Sequence, residues 1–324
     1  MKICVVGAGA IGGLFAGHLA RSSDVWILTR REEQARALRS QGIRISGKAE
    51  FMVQVQATAD PKALPLFDLA IVCTKATDLG EAMSRLGGLA PQAVIMTTQN
   101  GLGAEEVVRR HGAWPVISAV TFMSGTRHSD SHVEYELDAP TWLGPWEAGR
   151  VRDTVTAVAD LLVGAGLRAE AMDDVRPAQW SKLIFNATVN SISALTELPH
   201  DHHFREEDEL WGLGNLVRRL VDEGKQVASA AGIPLYEDPW EMNLHAVRRG
   251  ETDGGAYGHN PSMLDDVLSR RPTEVDFITG QLVQAGIRHC VEVPLHLALY
   301  QLVKAKESRW VPSPGIDRGG NLDS

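Results

Sequence analysis

The sequence predicts an α/β fold in which an N-terminal, doubly wound parallel sheet is followed by an all-helical C-terminal domain. Short apolar runs alternate with charged, helix-compatible segments in the first half of the chain, which is typical of βαβ units. A glycine-rich loop follows the first apolar run, and strand patterns nearly vanish beyond about residue 172. The length of 324 residues suits two domains, because a single core stops growing near about 250–300 residues.

The strands and helices of the first half follow one another at short intervals. Apolar runs predict buried strands at 2–6, 25–28, 69–73 and 93–96. Helices are predicted from the glycine loop to about 21, and at 31–40, 77–89 and 103–111. Between 115 and 145 the pattern changes to short alternating runs with aromatic residues. We expect these runs to be strands that extend or close the same sheet.

The second half is predicted to be helical almost throughout. The helix-compatible segments are 179–195, 208–231, 239–250, 262–269, 274–285 and 294–307. We therefore expect an α/β domain at 1–172 and a helical domain at 173–310. Residues 311–324 are rich in Gly, Pro and Ser, and we expect them to form a loose tail.

Composition excludes several classes of function. The chain carries 32 basic and 41 acidic residues, a formal net charge of −9, which disfavours a surface for nucleic acid or for anionic membranes. No run of about 18 apolar residues predicts a membrane span. Three cysteines without a C-x-x-C pair make a disulfide framework or a zinc site improbable, so we expect a reducing cytoplasm as the location.

The glycine-rich loop has the pattern G-x-G-x-x-G, directly after a predicted strand and at the start of a predicted helix. Gly7 would allow the tight turn, Gly9 would let a pyrophosphate approach the backbone, and Gly12 would permit close packing of helix and sheet. With Ala8, Ala10 and Ile11 these residues predict a Rossmann-type dinucleotide site. The N–H groups of the helix N-terminus would face the phosphates. A secretory signal peptide, the other interpretation of this apolar start, does not explain the glycine spacing.

The end of the second strand predicts which dinucleotide binds. An acidic residue there would accept a bond from the ribose 2′-OH, whereas arginine suits a 2′-phosphate. The sequence has Arg30 and Arg31 at this position, while Asp24 precedes the strand. NADP is therefore favoured over NAD, the alternative being that the two arginines only solvate a helix start.

A polar stripe is predicted on the first helix of the second half. Lys182, Asn186 and Asn190 are spaced four residues apart, so they share one face of a helix among apolar neighbours. A dehydrogenase, one class of enzyme that uses such a dinucleotide, needs a proton donor near the carbonyl oxygen and polar groups that orient the substrate. This face supplies both kinds of group, and we interpret it as functional rather than as a solvated surface.

These residues belong to a wider pattern. The matching pieces are GAGAIGG at 7–13, CTKA at 73–76, QNGLG at 99–103, WSKLIFNATVN at 180–190, PSMLDDV at 261–267 and PTEVDFITGQLV at 272–283. In this order and spacing, the chain resembles the ketopantoate reductase (2-dehydropantoate 2-reductase) family over nearly its whole length.

The resemblance implies a role for each matching residue. Lys182 corresponds to the catalytic lysine that protonates the alkoxide, and Glu274 to a glutamate near the nicotinamide that helps to hold the active-site groups. Asn100 corresponds to the asparagine that contacts both coenzyme and substrate. Further correspondences are Arg30 and Lys75 around the coenzyme phosphates, Ser124 at a backbone contact to the coenzyme, Asn186 and Asn190 as substrate-binding groups, and Ser262 at the substrate carboxylate.

Two segments depart from the family pattern. Where the family commonly has an asparagine-glycine turn, the chain has PHDHH at 199–203. Adjacent histidines point in different directions, so we expect a solvated loop there rather than a metal site, and we expect no metal ion elsewhere. The segment 250–259 is longer than the usual connection before Ser262. Both changes adjoin substrate-binding positions and leave the identity of the substrate open.

Two residues carry alternative interpretations. Glu274 follows Pro272 and Thr273 at a predicted helix start, where it would serve a helix-capping box instead of the active site. Cys73 lies near Lys75 but has no histidine partner within sequence reach, so we expect a buried thiol rather than a nucleophile.

The function implied is reduction of 2-dehydropantoate (ketopantoate) to pantoate by NADPH, a step toward pantothenate and coenzyme A. One alternative is a reductase of the same family that acts on another small 2-oxo or 2-hydroxy acid. Another is an NADP-binding protein without catalysis, which the joint presence of all the matching site residues of the second half argues against: Lys182, Asn186, Asn190, Ser262 and Glu274. The candidate assembly of such an enzyme is a homodimer, and we expect no nucleic acid or membrane partner.

Overall fold

The computed structural model describes residues 1–147, 152–204, 210–252 and 261–311. The chain divides into two compact units, Met1–Lys182 and Leu183–Ser324. The expected boundary at 172 lies ten residues before this division and stays a prediction. Of the expected tail at 311–324, all but Val311 lies outside the described residues.

The strands of the first unit are short and form two sheets. They are β1 (Lys2–Val6), β2 (Asp24–Leu28), β3 (Ile43–Gly47), β4 (Phe51–Val53), β5 (Gln56–Thr58), β6 (Leu69–Val72), β7 (Val94–Thr97), β8 (Val116–Thr121), β9 (Ser124–Ser129), β10 (His132–Leu137), β11 (Thr141–Pro145) and β12 (Ala169–Ala171). The main sheet has the order β12-β11-β8-β7-β6-β1-β2-β5. Only the β8–β11 pair is antiparallel within it.

The order of the parallel strands is that of a dinucleotide-binding sheet. From β5 through β2, β1, β6 and β7 to β8, the chain follows the order 3-2-1-4-5-6, with the reversal of direction between β1 and β6. Ligands of such sheets bind at the carboxyl ends of the strands near this reversal. The glycine loop after β1 lies at that point, so the predicted Rossmann-type fold is confirmed.

Both faces of the main sheet are covered, which explains the continuous apolar character of its strands. Alternate residues of β1 enter different cores: Ile3 and Val5 pack on one side of the sheet, Cys4 and Val6 on the other. The helices of this unit are α1 (Ala10–Leu19), α2 (Glu32–Gln41), α3 (Leu79–Leu86), α4 (Ala104–His111) and α5 (Arg152–Gly164). A parallel sheet requires such cover on both faces.

The second sheet corrects the expectation for residues 115–145. The strands β8 and β11 do join the main sheet, but β9 and β10 pair with β3 and β4 in the order β4-β3-β10-β9. In β10 the buried residues alternate, with Val133 and Tyr135 in the core, whereas β9 is largely exposed. A half-solvated pattern of this kind suits a small sheet that packs by one face. Its inner face meets α1, where a Cβ on Gly13 would lie 2.7 Å from Val133.

The second unit is helical throughout its described residues, as predicted. Its helices, with α6 beginning in the first unit, are α6 (Arg176–Thr196), α7 (Leu213–Ala230), α8 (Pro239–Thr252), α9 (Ser262–Leu268), α10 (Thr279–Arg288) and α11 (Pro294–Glu307). A core that includes Ile192, Leu220 and Trp240 holds α6, α7 and α8 together. Among the described residues, no helix is long and apolar enough to cross a membrane.

Candidate functional site

The three glycines of the first loop have different surroundings. Gly7 has φ +94°, in the left-handed region that favours glycine, and its turn leads the chain from β1 into α1. A Cβ on Gly12 would lie 1.9 Å from the carbonyl oxygen of Gly7. Gly9 is exposed, and no heavy atom lies within 4 Å of the place its Cβ would take. The loop thus needs Gly7 and Gly12 for its own shape and leaves open space at Gly9, which fits the close approach of a pyrophosphate.

The loop is anchored to its neighbours by backbone and side-chain hydrogen bonds. The N–H of Gly7 donates to the carbonyl oxygen of Leu28, the last residue of β2, at 2.9 Å. The amide of Gln34 on α2 donates to the carbonyl oxygen of Ala8 at 2.8 Å. Ala10 begins α1 and Ile11 follows it, so their N–H groups belong to the first turn of that helix. A dinucleotide phosphate therefore fits a loop that is already fixed in place.

Two arginines stand at the end of β2, as predicted, and each has a carboxylate near it. Arg30 lies 3.8 Å from Asp78. Arg31 contacts Asp130 at 2.5 Å, between Nη2 and Oδ1. Asp24 is the first residue of β2, at the opposite end of the strand.

A third arginine at this place was missed from the sequence. The guanidinium of Arg85, on α3, donates to the backbone oxygens of Ala59 at 2.6 Å and of Thr29 at 3.2 Å. It therefore adds positive charge and holds the backbone that precedes Arg30. Because Arg85 is 55 residues further along the chain, no local pattern could have indicated its place.

Lys75 and Asn100 follow the ends of two neighbouring parallel strands. Lys75 comes three residues after β6 and precedes a 3₁₀ turn at Ala76–Asp78, while Asn100 comes three residues after β7. The side chain of Gln99 donates to the backbone oxygens of Val72 and Thr74, each at 2.9 Å. Gln99 therefore ties the two strand ends together. Ser124, another predicted coenzyme contact, is half-buried at the start of β9.

A buried carboxyl group, five residues after Asn100 in sequence, was not predicted. Glu105, in the first turn of α4, accepts hydrogen bonds from Thr97 at 3.2 Å and from Gln179 at 3.4 Å. Burial raises the pKa of Glu105 above its usual range, although hydrogen bonds to Ser118 and Thr97 oppose that shift. The residue fixes the start of α4 behind the loop that carries Asn100.

The candidate proton donor is held at the end of β8. The Nζ of Lys182 donates to the backbone oxygen of Thr121, the last residue of that strand, at 2.5 Å. It also lies 5.0 Å from the ring centroid of Phe122, over the aromatic face, which favours a positive charge. The ammonium group is therefore placed at the carboxyl edge of the main sheet.

The predicted substrate-binding side chains of the second unit lie on two helices. Asn186 and Asn190 are buried on α6, one and two turns after Lys182, so the predicted helix is confirmed. Ser262 is exposed and begins α9, directly after Pro261. Their roles toward a substrate stay predictions.

The structure corrects the surroundings of Glu274. The helix predicted from 274 begins only at Thr279, so Glu274 lies in the turn that precedes it, and the capping-box interpretation is wrong. Glu274 is buried. Residues of α11 hold this turn: Glu307 accepts from the N–H of Thr273 at 2.6 Å, and Tyr300 donates to Asp276 at 2.7 Å.

The histidine segment at 199–203 is not the solvated loop that we expected. His200 and His203 are buried within a 3₁₀ turn at His200–Phe204. His200 forms a hydrogen bond with the amide oxygen of Asn243 at 3.0 Å, and His203 with the hydroxyl of Ser193 at 3.1 Å. The three-residue spacing of His200 and His203 turns both rings inward against α6 and α8. Within the described residues, no group of side chains suits a metal ion. Of the segment 250–259, which also departs from the family pattern, residues 253–259 lie outside the described part of the chain.

Cys73 is half-buried at the edge of the core, rather than fully buried as we expected, but its thiol is not set up as a nucleophile. Burial raises its pKa to about 12, with an opposing hydrogen bond to Thr98. The thiolate that nucleophilic chemistry needs is therefore strongly disfavoured near neutral pH.

Known proteins match both units of the chain. Residues 3–148 match the model of the family described as ketopantoate reductase PanE/ApbA, and residues 174–307 match its C-terminal model. A relative from Pyrococcus horikoshii, named 2-dehydropantoate 2-reductase, is 30% identical over 309 residues, covering 95% of this chain and 98% of its own.

Solved structures share the fold. A PanE/ApbA family ketopantoate reductase from Ralstonia eutropha JMP134 superposes with a TM-score of 0.83 at 28% identity, covering 96% of this chain and 99% of its own. D-mandelate dehydrogenase with NADH and anilino(oxo)acetate superposes with a TM-score of 0.85 over 96% of this chain and 99% of its own, but at 22% identity it indicates the fold alone. With both family models matched and a relative at 30% identity over nearly the full length, the chain belongs to the ketopantoate reductase family, whose members are pyridine-nucleotide-dependent oxidoreductases.

Proposed function

We propose that this oxidoreductase reduces 2-dehydropantoate to pantoate with NADPH, a step in pantothenate and coenzyme A biosynthesis. The names of its relatives support that substrate. The observation that carries the proposal is an order of groups along one edge of the main sheet. After β2 come the arginines, after β1 the glycine loop, after β6 Lys75, after β7 Asn100, and at the end of β8 the ammonium of Lys182.

This order suits an extended dinucleotide. The strands β2, β1, β6, β7 and β8 are parallel, so their carboxyl ends share one edge. Neighbouring strands lie about 4.8 Å apart, which separates the glycine loop from the end of β8 by roughly 14 Å. Phosphate-binding groups therefore stand at one end of the row and the proton donor at the other.

The chemistry requires a hydride and a proton. When bound, the reduced nicotinamide supplies the hydride to the 2-oxo carbon. The ammonium of Lys182 polarises the carbonyl and gives a proton to its oxygen, so that the developing alkoxide becomes the hydroxyl group of the product. The bond to Thr121 fixes where Nζ stands, and a positioned donor of this kind contributes about 10²–10⁴-fold in rate.

We assign the remaining groups by their chemistry and by the family pattern. Asn100 contacts coenzyme and substrate, and Ser124 contributes a backbone contact to the coenzyme. Asn186 and Asn190 donate to the oxygens of the substrate, and Ser262 binds its carboxylate. Glu274 helps to hold the active-site groups near the nicotinamide.

NADPH is proposed over NADH because the end of β2 carries Arg30 and Arg31 and no acidic residue. The fold alone does not select the coenzyme, since D-mandelate dehydrogenase shares it and is described with NADH. We place the enzyme in the cytoplasm and propose a homodimer, which light scattering of the purified chain would test.

A second candidate is reduction of a different small 2-oxo acid. It is favoured by the turn at His200–Phe204, because His203 contacts Ser193 only three residues beyond Asn190 on α6. A buried histidine pair in place of an asparagine-glycine turn changes what lies behind a proposed substrate group. A binding protein without turnover is a third candidate.

One panel separates these candidates. Initial rates of the full chain are measured with 2-dehydropantoate, 2-oxoisovalerate, 2-oxobutyrate and phenylglyoxylate, each with NADPH and with NADH. The proposal predicts the highest kcat/KM for 2-dehydropantoate with NADPH. A kcat/KM a hundredfold higher for another acid would replace the substrate, a preference for NADH would replace the coenzyme, and coenzyme binding without turnover on any acid would leave the binding protein.

A further inference from the structure

The turn between β9 and β10 brings a carboxylate to the end of β2. Its residue Asp130 accepts, through the single oxygen Oδ1, from Nη2 of Arg31 at 2.5 Å and from Nη1 of Arg127 at 2.9 Å. Asp130 is 99 residues from Arg31 in sequence, so the contact comes from the second sheet folding against α1 and α2. One carboxylate thus neutralises part of the positive charge that we assign to coenzyme binding.

Both partners of this contact are fixed in place. Thr29 donates from its hydroxyl to the backbone oxygen of Arg31 at 2.9 Å, and the same oxygen accepts from the N–H of Ala35 in α2 at 3.2 Å. On the other side, the backbone N–H of Arg44 donates to the oxygen of Ser131 at 2.8 Å, and the Ser131 hydroxyl donates to Gln41 at 2.7 Å. The turn carrying Asp130 is therefore held by β3 and by the end of α2.

We propose that Asp130 sets the coenzyme selectivity of the enzyme by competing with the 2′-phosphate for the guanidinium of Arg31. This inference rests on the proposed NADPH function, since it assigns a regulator to the same arginines. A 2′-phosphate carries up to two negative charges and seeks the bidentate donors of arginine. While Oδ1 holds Nη2 of Arg31, the phosphate has to displace the carboxylate or share the donor with it. A 2′-hydroxyl has no such need for the arginine.

Arg30, the neighbouring arginine, forms a longer and more exposed ion pair than Arg31. The two arginines therefore have different roles toward the phosphate. Arg30 lies 3.8 Å from Asp78 and its side chain is 70% exposed, whereas the side chains of Arg31 and Asp130 are 48% and 28% exposed. Arg30 therefore supplies basal attraction for the phosphate, and Arg31 supplies attraction that Asp130 limits. Exposed ion pairs are weak, so we expect a change of about three- to tenfold in affinity rather than an absolute switch.

The test measures binding, independently of turnover. Isothermal titration of the full chain with 2′,5′-ADP and with 5′-AMP reports the 2′-phosphate alone, in the wild type, in Asp130→Asn and in Glu50→Gln. The control removes one negative charge from a comparable exposed pair, that of Glu50 with Arg44 at 3.2 Å. We expect D130N to bind 2′,5′-ADP about three- to tenfold more tightly, with the Kd for 5′-AMP within about 1.5-fold of wild type and E50Q unchanged for both.

A double variant ties the effect to the named partner. In an Arg31→Ala background, D130N should no longer tighten binding of 2′,5′-ADP, because the competed donor is gone. Steady-state kinetics measure the same selectivity as the ratio of the KM for NADPH to the KM for NADH. Unchanged or weaker binding of 2′,5′-ADP in D130N, equal tightening of 5′-AMP, or a gain that persists in the R31A background would overturn the proposal. Equal affinity of the wild type for 2′,5′-ADP and 5′-AMP would refute the proposed NADPH preference. The comparison of D130N with the wild type would still test the role of Asp130.

Discussion

A Cβ on Gly12 would lie 1.9 Å from the carbonyl oxygen of Gly7, so the turn at Gly7 leaves room only for glycine at position 12. The Gly7 turn, at φ +94°, directs that oxygen at the first turn of α1. Gly9 has no such constraint, because its backbone is extended at φ −76° and the space around it is open. The same motif therefore contains residues needed for the fold and one residue whose lack of a side chain matters only to a ligand.

Alanine substitutions at Gly9 and Gly12 should separate these roles. Gly9→Ala should leave the free energy of unfolding within about 0.5 kcal/mol of wild type. It should weaken NADPH binding about tenfold or more, since the methyl group occupies the approach of the pyrophosphate. Gly12→Ala should lower the free energy of unfolding by about 1–3 kcal/mol or more, because the methyl group overlaps backbone atoms that cannot move aside locally. Urea unfolding and fluorescence titration with NADPH measure the two effects, and unchanged NADPH affinity in G9A would show that nothing approaches the loop there.

Thiol reactivity should distinguish one cysteine from the other two. Burial raises the pKa of Cys4 and of Cys73 to about 12, whereas Cys290 is exposed. Iodoacetamide at pH 8 should modify one thiol of the native chain and three in denaturant, as counted by intact mass. The Cys290→Ser variant should have no reactive thiol in the native state. Loss of enzyme activity on alkylation of C290S would contradict a purely structural Cys73.

Acid should destabilise the second unit through its buried histidines. Burial, reinforced by the neighbouring His200, lowers the pKa of His203 from 6.5 to about 3, and burial also lowers the pKa of His296. The unfolded chain then binds more protons than the folded one below pH 6.5, so stability falls as pH falls from 7 toward 4. For His203 the loss between pH 7 and pH 5 is about 2 kcal/mol.

The variant His203→Gln isolates that contribution. Glutamine keeps a polar partner for Ser193 but does not titrate. The difference in free energy of unfolding between pH 7 and pH 5, from urea melts, should therefore shrink by about 2 kcal/mol in H203Q. An identical pH dependence in wild type and variant would mean that His203 is not buried in its neutral form.

Local patterns in the sequence were enough for the main sheet and the helical second unit. The run KICVV and the glycine loop after it define β1 and the turn into α1 with little help from distant residues. The helix with Lys182 and Asn190 was equally readable, because its apolar positions recur with a helical period. These are features in which local propensity and tertiary packing agree.

Contacts between segments that are distant in sequence could not be predicted from local patterns. The largely exposed β9 resembles an edge strand of the main sheet, and only its pairing with β10, which itself pairs with β3, assigns it to the second sheet. Arg85 lies 56 positions from its backbone partner Thr29 at the end of β2, and Asp130 lies 99 positions from its side-chain partner Arg31. His203 looked solvated because polarity was judged from neighbouring residues, whereas Ser193 supplies its partner inside the core.

The most direct test of the account is turnover of Lys182→Ala. With the donor removed from its place beside Thr121, kcat should fall about 10²–10⁴-fold. The Kd for NADPH should stay within about twofold, because the phosphate-binding groups lie several strands away. Lys62→Ala, at an exposed lysine of the same unit, serves as the matched control and should retain wild-type kcat. Near-wild-type kcat in K182A, measured with 2-dehydropantoate and NADPH, would contradict the central claim that this ammonium is the proton donor.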